Sequence, residues 1–279
     1  MSAASSRPAA LSELRQKYLI KGDPLPTGLL ENDQRAGAQA LLKAIETRRA
    51  GNRAEGQRLR HMLKFETVLW AQGYVQIAGV DEAGMAPLAG PVVAGAAILP
   101  KGYKLRGLDD SKKILDESKR EELAAIIKRD AIAWATGWAS HEEIDTINIY
   151  HAGLLAMRRA VEGLQIAPDF VLVDARKIPG ISQPQNGIIK GDAQSLSIAA
   201  GAILAKTTRD QHMNGLDTQH PGYGFASHKG YPTPVHLKAL EALGALPFHR
   251  RSFAPVRKVL GLDPVQHELF AAPTAQTLR

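Results

Sequence analysis

Asp81 and Glu82 are adjacent acids that close an apolar run beginning at Val75, and Asp174 closes a second run, Asp169 to Asp174. A fourth acid, Asp192, follows Gly191 and precedes a stretch rich in Ala, Ile and Leu. Singly, each has an ordinary reading. Asp81 could cap a turn, Asp174 could terminate a strand, and Asp192 could be an N-cap, since a helix N-terminus favours a carboxylate. Brought together, they have a different meaning. Like charges raise one another's pKa values unless a cation neutralises them. Three or four carboxylates therefore point to a hard cation with oxygen ligands, Mg²⁺ or Mn²⁺. Two such ions about 4 Å apart can activate a water and stabilise the leaving oxygen of a phosphodiester. That chemistry needs no Cys, Ser or His nucleophile.

The elements that must position these acids follow from patterning. Val75 to Val80 reads as a strand ending at Asp81, and Pro91 to Leu99 as a buried strand. Asp116 can cap a helix to about Arg129, and Ala131 to Trp138 reads as a strand. Ser140-His141-Glu142-Glu143 is a capping box opening a helical region to about Leu164. After the strand ending at Asp174, Ile188-Ile189 suggests a short strand. Ala193 to about Leu216 reads as a long helix and Thr233 to Leu243 as a further one. Strands alternating with helices imply an α/β domain over residues 73–260. In an α/β sheet, sites gather where loops leave the strand ends, which is where Asp81 and Asp174 stand. Residues 1–30 carry Pro, Ser and Gly and read as loosely ordered, 31–72 as a helical extension broken at Gly51-Asn52, and 261–279 as a loose tail.

The 279 residues include no cysteine, which removes disulfides, thiolate catalysis and zinc ribbons. No P-loop, His-Glu-x-x-His helix or Gly-x-Ser-x-Gly elbow occurs, and the glycines at 79, 84, 90 and 95 do not fit Gly-x-Gly-x-x-Gly. The formal net charge of +7 suits a polyanion such as nucleic acid, although a surplus of this size can also serve solubility. Residues 1–70 carry 12 Lys and Arg against 7 Asp and Glu, so the extension is either an arm gripping phosphates or a solvated helical hairpin. Neither a secretory signal at the start nor a run of apolar residues long enough for a membrane span is evident. A cytoplasmic monomer without a membrane partner is the expectation.

Gly79-Val80-Asp81-Glu82-Ala83-Gly84 with Pro87-Leu88-Ala89-Gly90-Pro91-Val92-Val93 resembles the opening of ribonuclease HII. The similarity continues through Asp110-Ser111-Lys112-Lys113, Val171 to Asp174, Lys190-Gly191-Asp192-Ala193, Ser197 to Ala200 and Ala205 to Asp210. It closes with His228-Lys229-Gly230-Tyr231-Pro232-Thr233 and His249-Arg250-Arg251-Ser252-Phe253. The order and spacing match over about 74–257, and the helical extension looks like that of longer family members. The resemblance implies a ribonuclease H-like mixed sheet flanked by helices. It implies endonucleolytic cleavage of RNA in RNA–DNA hybrids, including ribonucleotides embedded in duplex DNA, leaving a 3′-OH and a 5′-phosphate. By motif position the catalytic, metal-binding acids are Asp81, Glu82, Asp174 and Asp192. Asp210 is expected to be structural.

The resemblance also nominates substrate-binding residues. Tyr231 matches the family tyrosine that packs on the sugar at the RNA–DNA junction; its ordinary reading is a core Tyr after a Gly turn. Lys112, Lys113, Lys119 and Arg120 fit phosphate contacts, with a solvated helix face as the alternative. Lys190 and Lys229 lie beside the proposed site in sequence. His228 and His249 lack a second His at metal spacing, so packing or a phosphate contact is expected of them. One departure stands out. Family members usually carry Gly-Arg-Gly where this chain has Gly84-Met85-Ala86. In the family that turn meets the ribonucleotide 2′-OH through its backbone, and the Arg reaches a phosphate. Met85 brings no charge, and Ala86 adopts positive φ less freely than Gly. Two further readings therefore stand beside the first: a nuclease preferring long RNA tracts over single ribonucleotides, and a nucleic-acid-binding protein with a decayed site.

Overall fold

The computed structural model describes residues 10–262, which fall into two compact units, one up to His61 and one from Met62. In the first unit a short helix α1 (Leu11–Leu14) widens into a π-type turn (Arg15–Lys21) that ends at Gly22. Leu14, Tyr18, Leu30, Ala38, Leu41 and Ile45 are buried together. Helical order therefore begins at residue 11, inside the stretch expected to be loose, because Leu11, Leu14 and Tyr18 repeat at helical spacing and have an apolar partner surface. Helix α2 (Ala36–Met62) runs unbroken through Gly51 and Asn52, where a break was expected. Both are exposed, and a Gly in an exposed helix interior costs only about 1 kcal/mol against good helix formers on either side. The expected loose start at residues 1–9 and most of the expected tail, 263–279, lie outside the described residues.

The second unit begins earlier than residue 73. Helix α3 (Lys64–Ala71) belongs to it, since Phe65, Leu69 and Trp70 pack with Ile77, Leu172, Ile188 and Ile198. Five strands follow in a mixed sheet: β1 (Ile77–Ala83), β2 (Val92–Ile98), β3 (Ala133–Ala139), β4 (Phe170–Asp174) and β5 (Gln185–Ile188). Their order is β3-β2-β1-β4-β5. The pairs β1–β2 and β2–β3 are antiparallel, and β1–β4 and β4–β5 parallel.

Helix α4 (Glu117–Asp130) precedes β3, and Asp116 caps it by accepting the N–H groups of Ser118 and Lys119. Helix α5 (His141–Glu162) opens on the reciprocal Ser140–Glu143 capping box and kinks at Asn148. It covers one face of the sheet through Ala152, Ala156, Met157 and Ala160, packed with Val80, Val92, Ala94 and Val173. Helix α6 (Leu196–Gln219) covers the other face. That contact needs residues without side chains. A Cβ on Gly79 would sit 2.0 Å from the Ser197 carbonyl carbon, and one on Gly95 would sit 2.2 Å from the Gly201 oxygen. Helices α7 (Phe225–His228), α8 (Pro234–Leu243) and α9 (Ala254–Val259) complete the unit.

Candidate active site

β1 and β4 run parallel with Val80 beside Val173, so their carboxyl ends emerge at the same edge and bring Asp81 and Asp174 together. A 3₁₀ turn (Gly191–Ala193) after β5 carries Asp192 to the same place. Gly191 donates its N–H to Asp174 Oδ1 at 2.6 Å, tying two of these segments. Successive strand residues point to opposite faces, so Asp81 lies on the α6 side with Gly79 and Glu82 on the α5 side. Asp81 Oδ1 accepts the Glu82 N–H at 2.7 Å.

The electrostatics are those of acids held together against their own repulsion. Burial pushes the Asp81 carboxyl well above its ordinary range, and Glu82, Asp174 and Asp192 push it further. Burial also raises Glu82, with Asp174 adding to the shift and Arg176 opposing it. Asp192 is raised by burial and by Asp110 and Asp174, against Lys112. Each acid leans on a protein donor: Glu82 Oε1 lies 3.3 Å from Arg176 Nη2, and Asp192 Oδ2 lies 3.4 Å from Lys112 Nζ. Among the described residues no three acids or imidazoles already form a closed chelate. The donor set nonetheless fits a hard cation. It is all oxygen, it carries excess negative charge, and Glu82 Oε2 is buried without a hydrogen-bond partner. A buried, unpaired carboxylate oxygen is costly unless a cation or donor completes it.

The turn after Glu82 is held from inside. Gly84 has φ +97, and a Cβ there would meet Arg209 Nε at 2.2 Å, so only glycine fits. Arg209 donates to the carbonyls of Ala89, Pro91 and Lys229, and Arg250 to those of Gly84, Met85, Gly90 and Pro91. Both guanidiniums are almost wholly buried, and burial pulls Arg209 down to about 10 and Arg250 to about 9. Met85 is half-buried against the α5-side core and Ala86 is exposed.

The remaining candidates divide. Lys112 is 79% exposed beside Asp192, Lys113 is exposed and paired with Asp109, Lys119 is half-buried and paired with Glu122, and Lys190 is exposed at φ +55. Tyr231 is 41% exposed on the turn after α7. Two of the candidate substrate-binding residues are buried. Arg120 is buried, donating to the carbonyls of Ile114 and Leu115 and pairing with Asp210 at 3.2 Å. Lys229 is also buried, its ammonium held by Glu117 and Asn214. Both are committed to packing. Asp210 is structural as expected, buried between Arg120 and Lys206 about 20 Å along α6. His228 and His249 are packed among aromatic rings.

Sequence reasoning missed Arg176, Asp110 and the two buried arginines. Arg176 stands two residues after Asp174, so proximity was a usable signal. Asp110 sits in a quoted motif, but its closeness to Asp192 depends on the fold. Nothing local marks Arg209 or Arg250 as a clamp on a turn more than 100 residues away.

Comparisons with known proteins point to one family. A family described as Ribonuclease HII matches residues 78–256, and one described as Ribonuclease HII N-terminal domain matches residues 20–70. The chain is 65% identical over 277 residues to a ribonuclease HII of Myxococcus xanthus (strain DK1622), covering 96% of this chain and 94% of that one. It is 59% identical over 267 residues to a ribonuclease HII of Anaeromyxobacter sp. (strain Fw109-5), covering 95% and 84%. The crystal structure of the ribonuclease H2 from Pyrococcus horikoshii OT3 aligns with a TM-score of 0.56 at 26% identity, covering 66% of this chain and 96% of that one.

Proposed function

The chain belongs to the ribonuclease HII family, and we propose that it is an endonuclease cutting the RNA strand of RNA–DNA hybrids, including single ribonucleotides embedded in duplex DNA. The observation that carries this reading is the meeting of Asp81, Glu82, Asp174 and Asp192 at one edge of the sheet, with a buried, unpartnered oxygen on Glu82. These four residues would hold two Mg²⁺ or Mn²⁺ ions. When bound, the ions supply an activated water and stabilise the leaving oxygen, so that the products carry a 3′-OH and a 5′-phosphate.

The chain's own residues do the rest. Burial of Asp81 keeps bulk water from competing for its oxygens. The Gly191 N–H fixes one oxygen of Asp174 and leaves the other for a ligand. Lys112, Lys113 and Lys190 present exposed ammonium groups around the acids for the phosphates. Tyr231 offers an aromatic face to the sugar at the junction. Arg250 holds the start of the turn through the Gly84 and Met85 carbonyls, and Arg209 lies against Gly84.

An Asp81→Asn variant should bind a hybrid duplex and fail to cut it in Mg²⁺ or Mn²⁺. Full cleavage by that variant would overturn the assignment. A second reading, preference for long RNA tracts, is favoured by one observation: the turn carries no charged side chain, with Met85 half-buried against the core and Ala86 exposed. Comparing cleavage of one embedded ribonucleotide with cleavage of a long RNA tract decides between the two.

A further inference from the structure

Three histidines that the chemistry above does not use lie beneath Tyr231. His236 and His249 are fully buried, and His228 nearly so, among Tyr223, Phe225 and Phe248. Their hydrogen bonds can be satisfied in only one direction. Leu246 donates its N–H to His249 Nδ1 at 2.9 Å, so the His249 proton sits on Nε2. That nitrogen faces His236 Nε2 at 3.1 Å, which must then accept. The His236 proton is therefore on Nδ1, 3.0 Å from the Tyr231 carbonyl oxygen, to which it donates. His228 is fixed in the same way. Its Nδ1 accepts the Gly230 N–H at 3.1 Å and its Nε2 donates to the Tyr223 carbonyl at 2.8 Å. The rings of His228 and His236 stack at 4.5 Å.

The backbone needs such support. Lys229 (φ +50) and Gly230 (φ +84) are both left-handed, a conformation that a lysine rarely adopts unless its surroundings impose it. Thr233 donates a second hydrogen bond to the Tyr231 carbonyl and also caps α8, the helix that carries His236. Every polar atom of the chain of imidazoles has a partner, and a fully satisfied buried network specifies one arrangement. Protonating His249 or His236 would set N–H against N–H. Burial, which pulls His249 down to about 4 and lowers His236, keeps both neutral.

We propose that His236 and His249 are positioning residues: a one-way imidazole relay from the Leu246 N–H to the Tyr231 carbonyl that fixes how the exposed Tyr231 ring is presented to the substrate. This inference rests on the reading of Tyr231 as the residue that meets the sugar.

The first test is long-range ¹H–¹⁵N NMR of the full chain, with expected tautomers Nδ1–H for His236 and Nε2–H for His249 and His228. An Nε2–H His236 overturns the relay. The second is kinetic, on duplex DNA with one ribonucleotide. His236→Phe keeps the ring's bulk and removes both hydrogen bonds. It should raise KM about tenfold with kcat within about twofold and Mn²⁺ binding unchanged. His249→Phe should behave alike, while His249→Gln, which can still accept and donate, should stay near wild type. Tyr231→Ala should raise KM at least as much, with no further rise when combined with His236→Phe. If Tyr231→Ala raises KM and His236→Phe does not, the relay is wrong and the reading of Tyr231 stands. If Tyr231→Ala changes nothing, the reading of Tyr231 fails, and the inference with it. Should His236→Phe not fold, the tautomers and the contrast between His249→Gln and His249→Phe decide.

Discussion

Replacing Asp81 by Asn should make the metal-free protein more stable and the metal-loaded protein less so. The exchange is nearly isosteric, and an amide oxygen can still accept the Glu82 N–H that Asp81 Oδ1 accepts at 2.7 Å. What disappears is a buried charge beside Glu82, Asp174 and Asp192. The folded pKa of Asp81 is raised, so the folded state binds this proton more tightly than the unfolded chain does. The ionised form thus costs stability. That cost is absent below the unfolded carboxylate range and grows as pH rises through the folded pKa. Relieving such strain at a functional site is worth about 1–2 kcal/mol. For a unit of this size that is a rise in Tm of roughly 2–8 °C. Cations reverse the order, because a ligand at 100 times its Kd stabilises by about 2.7 kcal/mol and the variant has lost an oxygen ligand. The assay is thermal unfolding at pH 8 in EDTA and across an Mn²⁺ titration, repeated at lower pH, where the gap in EDTA should narrow. A variant less stable than wild type in EDTA, or one that gains as much from Mn²⁺, would refute the picture of four mutually repelling acids awaiting a cation.

Three further outcomes are expected. Gly79→Ala should lower stability by about 3 kcal/mol or more, or prevent folding, because its Cβ would sit 2.0 Å from the Ser197 backbone; a Tm within about 2 °C of wild type would contradict the α6–sheet contact. His249 titrates near 4 when folded and near 6.5 when unfolded, so its contribution is present above pH 6.5 and is lost as pH falls towards 4, about 3 kcal/mol in all. Urea unfolding of His249→Gln against wild type over that range should show the slope difference, and parallel curves would count against it. Restoring Met85→Arg with Ala86→Gly should tighten binding to a single-ribonucleotide junction several-fold by fluorescence anisotropy. Equal Kd values would mean that the turn's side chains do not set junction affinity.

The features readable in the sequence are those whose partner lies within one turn or along one strand. The Ser140–Glu143 capping box and the Asp116 cap are local chemistry, and each holds as expected. Asp81 and Asp174 were legible as acids ending apolar runs, and ordered motifs supplied Asp192. What was illegible depends on which distant segment arrives beside a residue. Lys229 and Arg120 stand in the sequence as candidate substrate contacts, and in the fold each is held by an acid about 90 residues or more away in sequence, Glu117 and Asp210. Arg209 and Arg250 carry no local mark, because their partners are carbonyls of a turn that only the folded sheet sets beside them.

Met85 shows how the same limit acts at the site itself. In sequence it reads as a missing charge beside the acids. In the fold, a Cβ on Gly153 would sit 3.0 Å from its sulfur and 2.9 Å from Arg176 Nη1, so a guanidinium reaching in from beyond β4 already stands next to it. That guanidinium pairs with Glu82 and lies 5.1 Å from the Tyr150 ring centroid. An arginine at position 85 would bring a second positive charge close to Arg176, so it would have to turn outward, away from that neighbour, to reach a phosphate, whereas the apolar, flexible methionine can lie beside it. The turn after Glu82 therefore has to be read together with the residue two places after Asp174, a pairing that strand order creates and spacing along the chain does not reveal.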